Sequence, residues 1–258
     1  MADKPRDPAV SVWVAPPKGR RRGSAPAGLS RDRIVRAAVD LLDADGVAAF
    51  SMRRLAAALD VTAMSVYWYV DTKDDLLELA LDEVLGGMSL PPLGDGDDWR
   101  AHLRTMAHQY RQCFQQHPWA AELTGRYLAL GPNALFFSTS AIGAITRSGL
   151  PGDQYGGALG LLFQYVYGFA QVEAQWQLRV RASGLDEDAF HAQVFGIVEQ
   201  ADRRFLENEE LVRSHVEGGA AAARDRQFEQ GLAMALAGID AAIAAAPAAQ
   251  GPSGTSRE

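Results

Sequence analysis

The feature that most constrains this chain is a helical period that recurs from about residue 30 to about residue 246, with no alternating stretch long enough to make a sheet. Ile34, Val35, Ala38, Leu41 and Leu42 share one face. Met52, Leu55, Ala56 and Leu59 share another, and Leu76, Leu77, Ala80, Leu81, Val84 and Leu85 a third. Downstream, Trp99, Leu103, Met106, Tyr110 and Phe114 form a stripe, as do Phe228, Leu232, Ala235, Leu236, Ile239 and Ile243. A strand buries one face only when apolar residues return every second position, so the pattern predicts an all-α fold.

Punctuation divides the helices. Ser30, Ser51, Thr62, Thr72 and Asp186 are good N-caps, Gly46 and Gly86-Gly87 are stops, and Pro118 and Pro132 open helices. Residues 89–98 read as a loop. Beyond it, helices are predicted over about 118–130, 132–148, 155–181, 186–207 and 220–246. The composition of residues 1–28 and 247–258 predicts a disordered basic arm and a disordered tail.

Charge is unevenly placed. The net charge is −7, yet residues 1–75 carry 12 Lys/Arg against 10 Asp/Glu, leaving 13 against 22 for the remainder. A basic front on an acidic body is expected where only the front meets phosphates. The single cysteine, Cys113, rules out an intrachain disulfide framework and reads as an apolar filler. No uninterrupted apolar run of membrane-spanning length and no secretory leader pattern are present, which predicts a cytoplasmic protein without a membrane partner. No nucleophile–base pair or phosphate loop stands at a useful spacing, which argues against an enzyme. The five histidines (102, 108, 117, 191, 215) lack metal-site spacing, so neither metal nor cofactor is expected.

The informative region is Ile34 to Leu85. Two short helices joined by a tight turn, after a longer apolar helix, make a helix-turn-helix. Val61 and Val66 can pack the second short helix on Leu55 and Leu59, leaving Ala63, Met64, Ser65, Tyr67, Trp68 and Tyr69 to divide between groove, phosphates and core.

The segment FSMRRLAAALDVTAMSVYWYVDTKDDLLELALDEVL resembles the DNA-binding part of TetR-family repressors, most of all the tetracycline-repressor branch. RDRQFEQGLAMALAGI resembles the end of that branch's ligand-binding domain. The resemblance implies a head at 29–75 joined by helix four to an effector-binding and dimerisation body at 76–246. Arg53 would contact a phosphate or base edge, Thr62 and Ser65 would approach the groove, Tyr67 and Trp68 would pack on the DNA backbone, and Lys73 would clamp a phosphate. Arg20-Arg21-Arg22 could add contacts from the arm. Ala63-Met64 departs from the branch, so base specificity does not transfer.

The resemblance also implies a homodimer on a palindromic operator, paired through the helices at about 155–181 and 220–246, where Gly156, Gly157 and Gly160 permit close approach. A small-molecule effector would sit among central side chains, here His102, Tyr110, Phe114, Tyr127, Asn133, Phe137, Phe163, Tyr167 and Glu173. The branch holds its metal–drug complex with a His on helix six and a Glu on helix eight. Tyr127 stands at the His position and Glu173 near the Glu position; a phenol is a poor magnesium ligand, which argues against tetracycline. Helix four would act as the lever between effector and head. The alternative is a helix-turn-helix regulator without a small-molecule ligand, constitutive or controlled by a protein partner.

Overall fold

The structure is a computed structural model and describes residues 11–14, 28–90, 92–94, 96–201, 204, 207 and 209–246. Among these residues there are eleven α-helices and no strand, only an isolated bridge between Thr124 and Tyr127. The Arg20-Arg21-Arg22 cluster and the tail from residue 247 lie outside the described residues.

Local capping chemistry sets the head. Helix α1 (Arg31–Ala49) starts at Ser30, whose hydroxyl accepts the Arg33 N–H, and Gly46 interrupts it with φ 74°. Ser51 caps α2 (Met52–Ala58), and Thr62 caps α3 (Ala63–Val66) by accepting the Ser65 N–H. Helix α4 (Lys73–Gly86) opens on a capping box in which Thr72 and Asp75 satisfy each other's backbone N–H groups. Ile34, Leu42, Leu55, Val66, Leu76 and Leu77 meet in one core, which runs on into the body through Phe114, Trp119 and Leu123. Head and body are therefore packed together rather than merely tethered.

The body contains α5 (Trp99–Gln116), α6 (Pro118–Leu123), α7 (Pro132–Thr146), α8 (Tyr155–Ser183), α9 (Glu187–Ala201), α10 (Glu209–Val216) and α11 (Ala220–Ala245). A second core gathers Trp99, Leu103, Met106, Ile145, Leu162, Phe228, Leu232 and Leu236 from α5, α7, α8 and α11. Helix α11 is long and apolar enough to cross a bilayer, but its Phe228–Leu232–Leu236–Ile239 stripe is buried against the other body helices.

Three expectations are corrected. Helix α6 stops at Leu123, not near residue 130, because Gly125 turns the chain with φ 87°. The helix predicted over 186–207 ends at Ala201, and the additional helix α10 follows. Residues 11–14, read as part of a disordered arm, form a turn seated on α4, with Ser11 buried.

Candidate nucleic-acid interface and effector pocket

The candidate recognition surface is α3 and its flanks. Val66 is fully buried on Leu55 and Leu59, which fixes the angle of this four-residue helix. Arg53, Thr62 and Met64 are exposed, and Ala63, Ser65, Tyr67 and Trp68 are half-buried. The Thr62 and Ser65 hydroxyls lie 3.0 Å apart, which presents both polar tips from one turn. Small hydroxyls and an apolar Met can read base edges, and an exposed arginine can neutralise phosphate.

Two members of the expected DNA-binding set are committed within the protein. The Tyr69 hydroxyl donates to the Leu29 carbonyl at 2.7 Å, tying α3's exit to the start of α1. The Lys73 ammonium donates to the Phe50 carbonyl at 2.9 Å and sits over the Phe50 ring. An ammonium has three donors, so Lys73 retains capacity for phosphate, whereas Tyr69 is a strut of the head.

Helix α4 joins this head to the body through two acidic groups eight residues apart. Asp74 accepts the Tyr127 hydroxyl at 2.8 Å. Asp82 accepts the Asn133 and Ala134 backbone N–H groups at 3.3 and 3.0 Å, and Asn133 Nδ2 returns a bond to the Asp82 carbonyl. From α1, Asp43 accepts Trp119 Nε1 at 2.6 Å and lies 2.8 Å from His117 Nδ1. Cys113 is buried at this junction, and burial pushes its thiol up to about 12, which makes it an inert packing group.

The nine expected effector residues do not form one cavity. Tyr110, Phe114, Phe137, Phe163 and Tyr167 do come together: ring centroids run from 4.5 Å for Tyr110–Phe114 to 6.2 Å for Tyr110–Phe163, with Phe114–Tyr167 at 6.0 Å. These rings fill the space between α5, α7 and α8. Tyr127 and Asn133 belong to the α4 contacts instead. His102 Nε2 lies 2.9 Å from the Ser140 hydroxyl, and burial holds its imidazole below its ordinary range. Tyr127 is engaged by Asp74, and Glu173 by Arg111, Gln115 and Arg224.

Glu173 is the hub of a buried charge network. Arg111 reaches it with two bonds at 2.8 and 3.0 Å, Arg224 and Gln115 add one each, and Arg224 continues to Glu187. Burial alone would raise the Glu173 carboxyl; the bonds from Arg111 and Gln115 and the charges of Arg111 and Arg224 outweigh it and hold the group below the carboxylate range. The array connects α5, α8, α9 and α11.

Sequence reasoning missed a cavity of about 700 Å³ between α8, α9, α10 and α11, lined by Tyr165, Phe169, Val172, Trp176, Phe195 and Arg224 among others. Of the expected effector residues, only Glu173 lines it. Its mouth includes Gln164, Gly168 and Val172, which belong to an exposed α8 stripe with Leu161. The residues come from four helices that meet only in the folded chain, and no local period marks them.

Two family profiles match most of the chain: "Bacterial regulatory proteins, tetR family" over residues 34–80 and "Tetracyclin repressor-like, C-terminal domain" over residues 90–243. An HTH-type transcriptional regulator of Saccharopolyspora erythraea is 40% identical over 167 residues, covering 65% of this chain and 69% of the relative. The HTH-type transcriptional repressor DrrR1 of Streptomyces coeruleorubidus is 38% identical over 180 residues, covering 68% and 66%. Among solved structures, the Streptomyces coelicolor TetR family protein ActR in complex with actinorhodin superposes with TM-score 0.67 and 31% identity, covering 83% of this chain and 97% of that one.

Proposed function

We propose a function from one premise: this chain belongs to the TetR family of bacterial regulatory proteins. It is a DNA-binding transcriptional regulator of the helix-turn-helix type and not an enzyme. Within that class we read it as a repressor that binds a palindromic operator as a homodimer in the cytoplasm and leaves it when a small molecule enters the body.

The observation that carries the ligand-responsive reading is the double hold on α4. Asp74 binds Tyr127 beyond the end of α6, and Asp82 caps α7, so a displacement of α6 or α7 is transmitted to the helix that carries the head. The cluster of Tyr110, Phe114, Phe137, Phe163 and Tyr167 lies between α7 and α8, behind that hold. Planar aromatic effectors suit the open cavity of about 700 Å³ instead, which Tyr165, Phe169, Trp176 and Phe195 line with aromatic rings. ActR, the structural neighbour described above, has been solved with actinorhodin.

For self-pairing, the exposed stripe of Leu161 and Val172 on α8 and Met234 on α11 supports a face that a second copy covers. The mouth of the 700 Å³ cavity opens on the same stripe.

One observation favours a second reading. The central rings touch one another directly, and a body packed solid at that point suits a regulator that is constitutive or governed by a protein partner. The test is selection of bound double-stranded DNA from a random pool, followed by anisotropy titration of that DNA with actinorhodin and other planar aromatics. Release by such compounds supports effector control. Replacing Ala80-Leu81 by two glycines should then keep ligand binding and abolish release. Tight DNA binding that no compound of this class disturbs would transfer support to the second reading.

A further inference from the structure

We propose that Ser11–Val14 is a strap that holds α4 in its DNA-binding setting. The four residues form a turn closed by the Val14 N–H on the Ser11 carbonyl at 3.1 Å. The Ser11 hydroxyl donates to Glu78 Oε2 at 2.6 Å, and the same oxygen accepts the Val12 N–H at 3.2 Å. Ser11 and Glu78 are each 3% exposed. Val12 and Trp13 pack, half-buried, against the core that joins head and body. A carboxylate taken out of water must be given donors, and the strap supplies two of them. A passing surface segment would not bury its own hydroxyl to do so.

The place of the seat gives it meaning. Residues four apart lie on the same side of a helix. Glu78 stands four residues after Asp74, which receives Tyr127, and four before Asp82, which caps α7. The strap is thus seated between the two points where α4 meets α6–α7, and any movement of α4 against the body disturbs all three contacts. In sequence the strap leads into Lys18 and Arg20–Arg22 and then into α1. Seating it anchors the chain on the N-terminal side of those cations, as α1 anchors it on the other. DNA that selects this setting of α4 favours the seated strap, and by reciprocity the seated strap favours DNA.

This inference requires DNA binding but no effector. The test is hydrogen exchange on the full chain. Ser11→Asp sets a second carboxylate against Glu78 without altering α4, and the Ser11→Ala/Trp13→Ala double variant removes the donor and the ring by another route. Both should speed exchange across residues 73–86 by about tenfold or more while leaving residues 155–183 unchanged. In the unmodified protein, adding double-stranded DNA selected from a random pool should slow exchange at residues 11–14. The strap is overturned if residues 11–14 already exchange freely, if neither variant changes α4, or if bound DNA leaves residues 11–14 as they were. Failure to recover any DNA would count against the DNA-binding reading itself; the comparison of α4 exchange among the variants would still decide whether the strap holds that helix.

Discussion

Asp82 of α4 caps a helix to which it does not belong: its Oδ1 accepts the backbone N–H of Ala134, in the first turn of α7, at 3.0 Å. The N-cap residue of α7 is Gly131, which has no side chain to do this. Helix α4 therefore satisfies the open end of a body helix, and the two are joined at the point where a helix most needs an acceptor.

Asp82→Ala should destabilise the protein by about 1–3 kcal/mol, because it strips the cap and leaves buried N–H groups unpaired. Gly131→Ala should act in the same direction, since a Cβ there would overlap the Asp82 carboxylate. Chemical denaturation checks both. Unchanged midpoints would show that water replaces the carboxylate at no cost.

Arg53→Ala and Met64→Ala should leave stability within about 0.5 kcal/mol, since both side chains are exposed. Arg53→Ala should weaken DNA binding and lower the salt slope by about one. Met64→Ala should alter sequence preference with little change in salt slope. Val66→Ala, by contrast, hollows the support of α3 and should cost roughly 1–3 kcal/mol of stability. Salt-dependent binding and thermal melts separate the three.

The Glu173 network gives an acid limb to the stability curve. Its folded carboxyl is held below the carboxylate range, so its contribution is present above the unfolded carboxyl range and is lost as pH falls through the folded value. The midpoint of unfolding should thus drop in the acid range, and the drop should shrink in Glu173→Gln. Arg111→Met should be costlier near neutrality, about 3–5 kcal/mol, because it strips the buried carboxylate of its two-bond partner. Denaturation series at several pH values measure both effects.

Val172→Lys tests self-pairing. Val172 is 73% exposed, so a lysine there is harmless to a single chain, but desolvating it within an interface is not. Light scattering should show the dimer of the unmodified chain converted to monomer, with helicity intact. A monomeric unmodified chain would refute the proposed pairing face.

The head was readable in advance because its signals are local. Ser30, Ser51, Thr62 and Thr72 each accept an N–H three residues on, within one helical turn. Gly46 breaks α1 by its own φ, and the burial of Leu55 and Val66 follows from period alone. Gly125, which ends α6 early, sits in a stretch whose apolar residues continue past it, so the pattern overran the turn. Pattern alone groups Tyr69 with its aromatic neighbours, and only the fold brings the Leu29 carbonyl to its hydroxyl.

The body was readable as helices and not as a site. Type and order of the elements, the recognition segment and its caps came from interactions that span three or four residues, and the amino acids alone decide those. The partners of Asp74, Glu78, Asp82 and Glu173 lie 51 to 67 residues away. Whether a carboxylate meets a hydroxyl, a helix end or an arginine at that range depends on how whole helices pack. Chain folding alone turned a row of acids on α4 into the joint between head and body, and a scattering of aromatics into a filled core beside an open cavity.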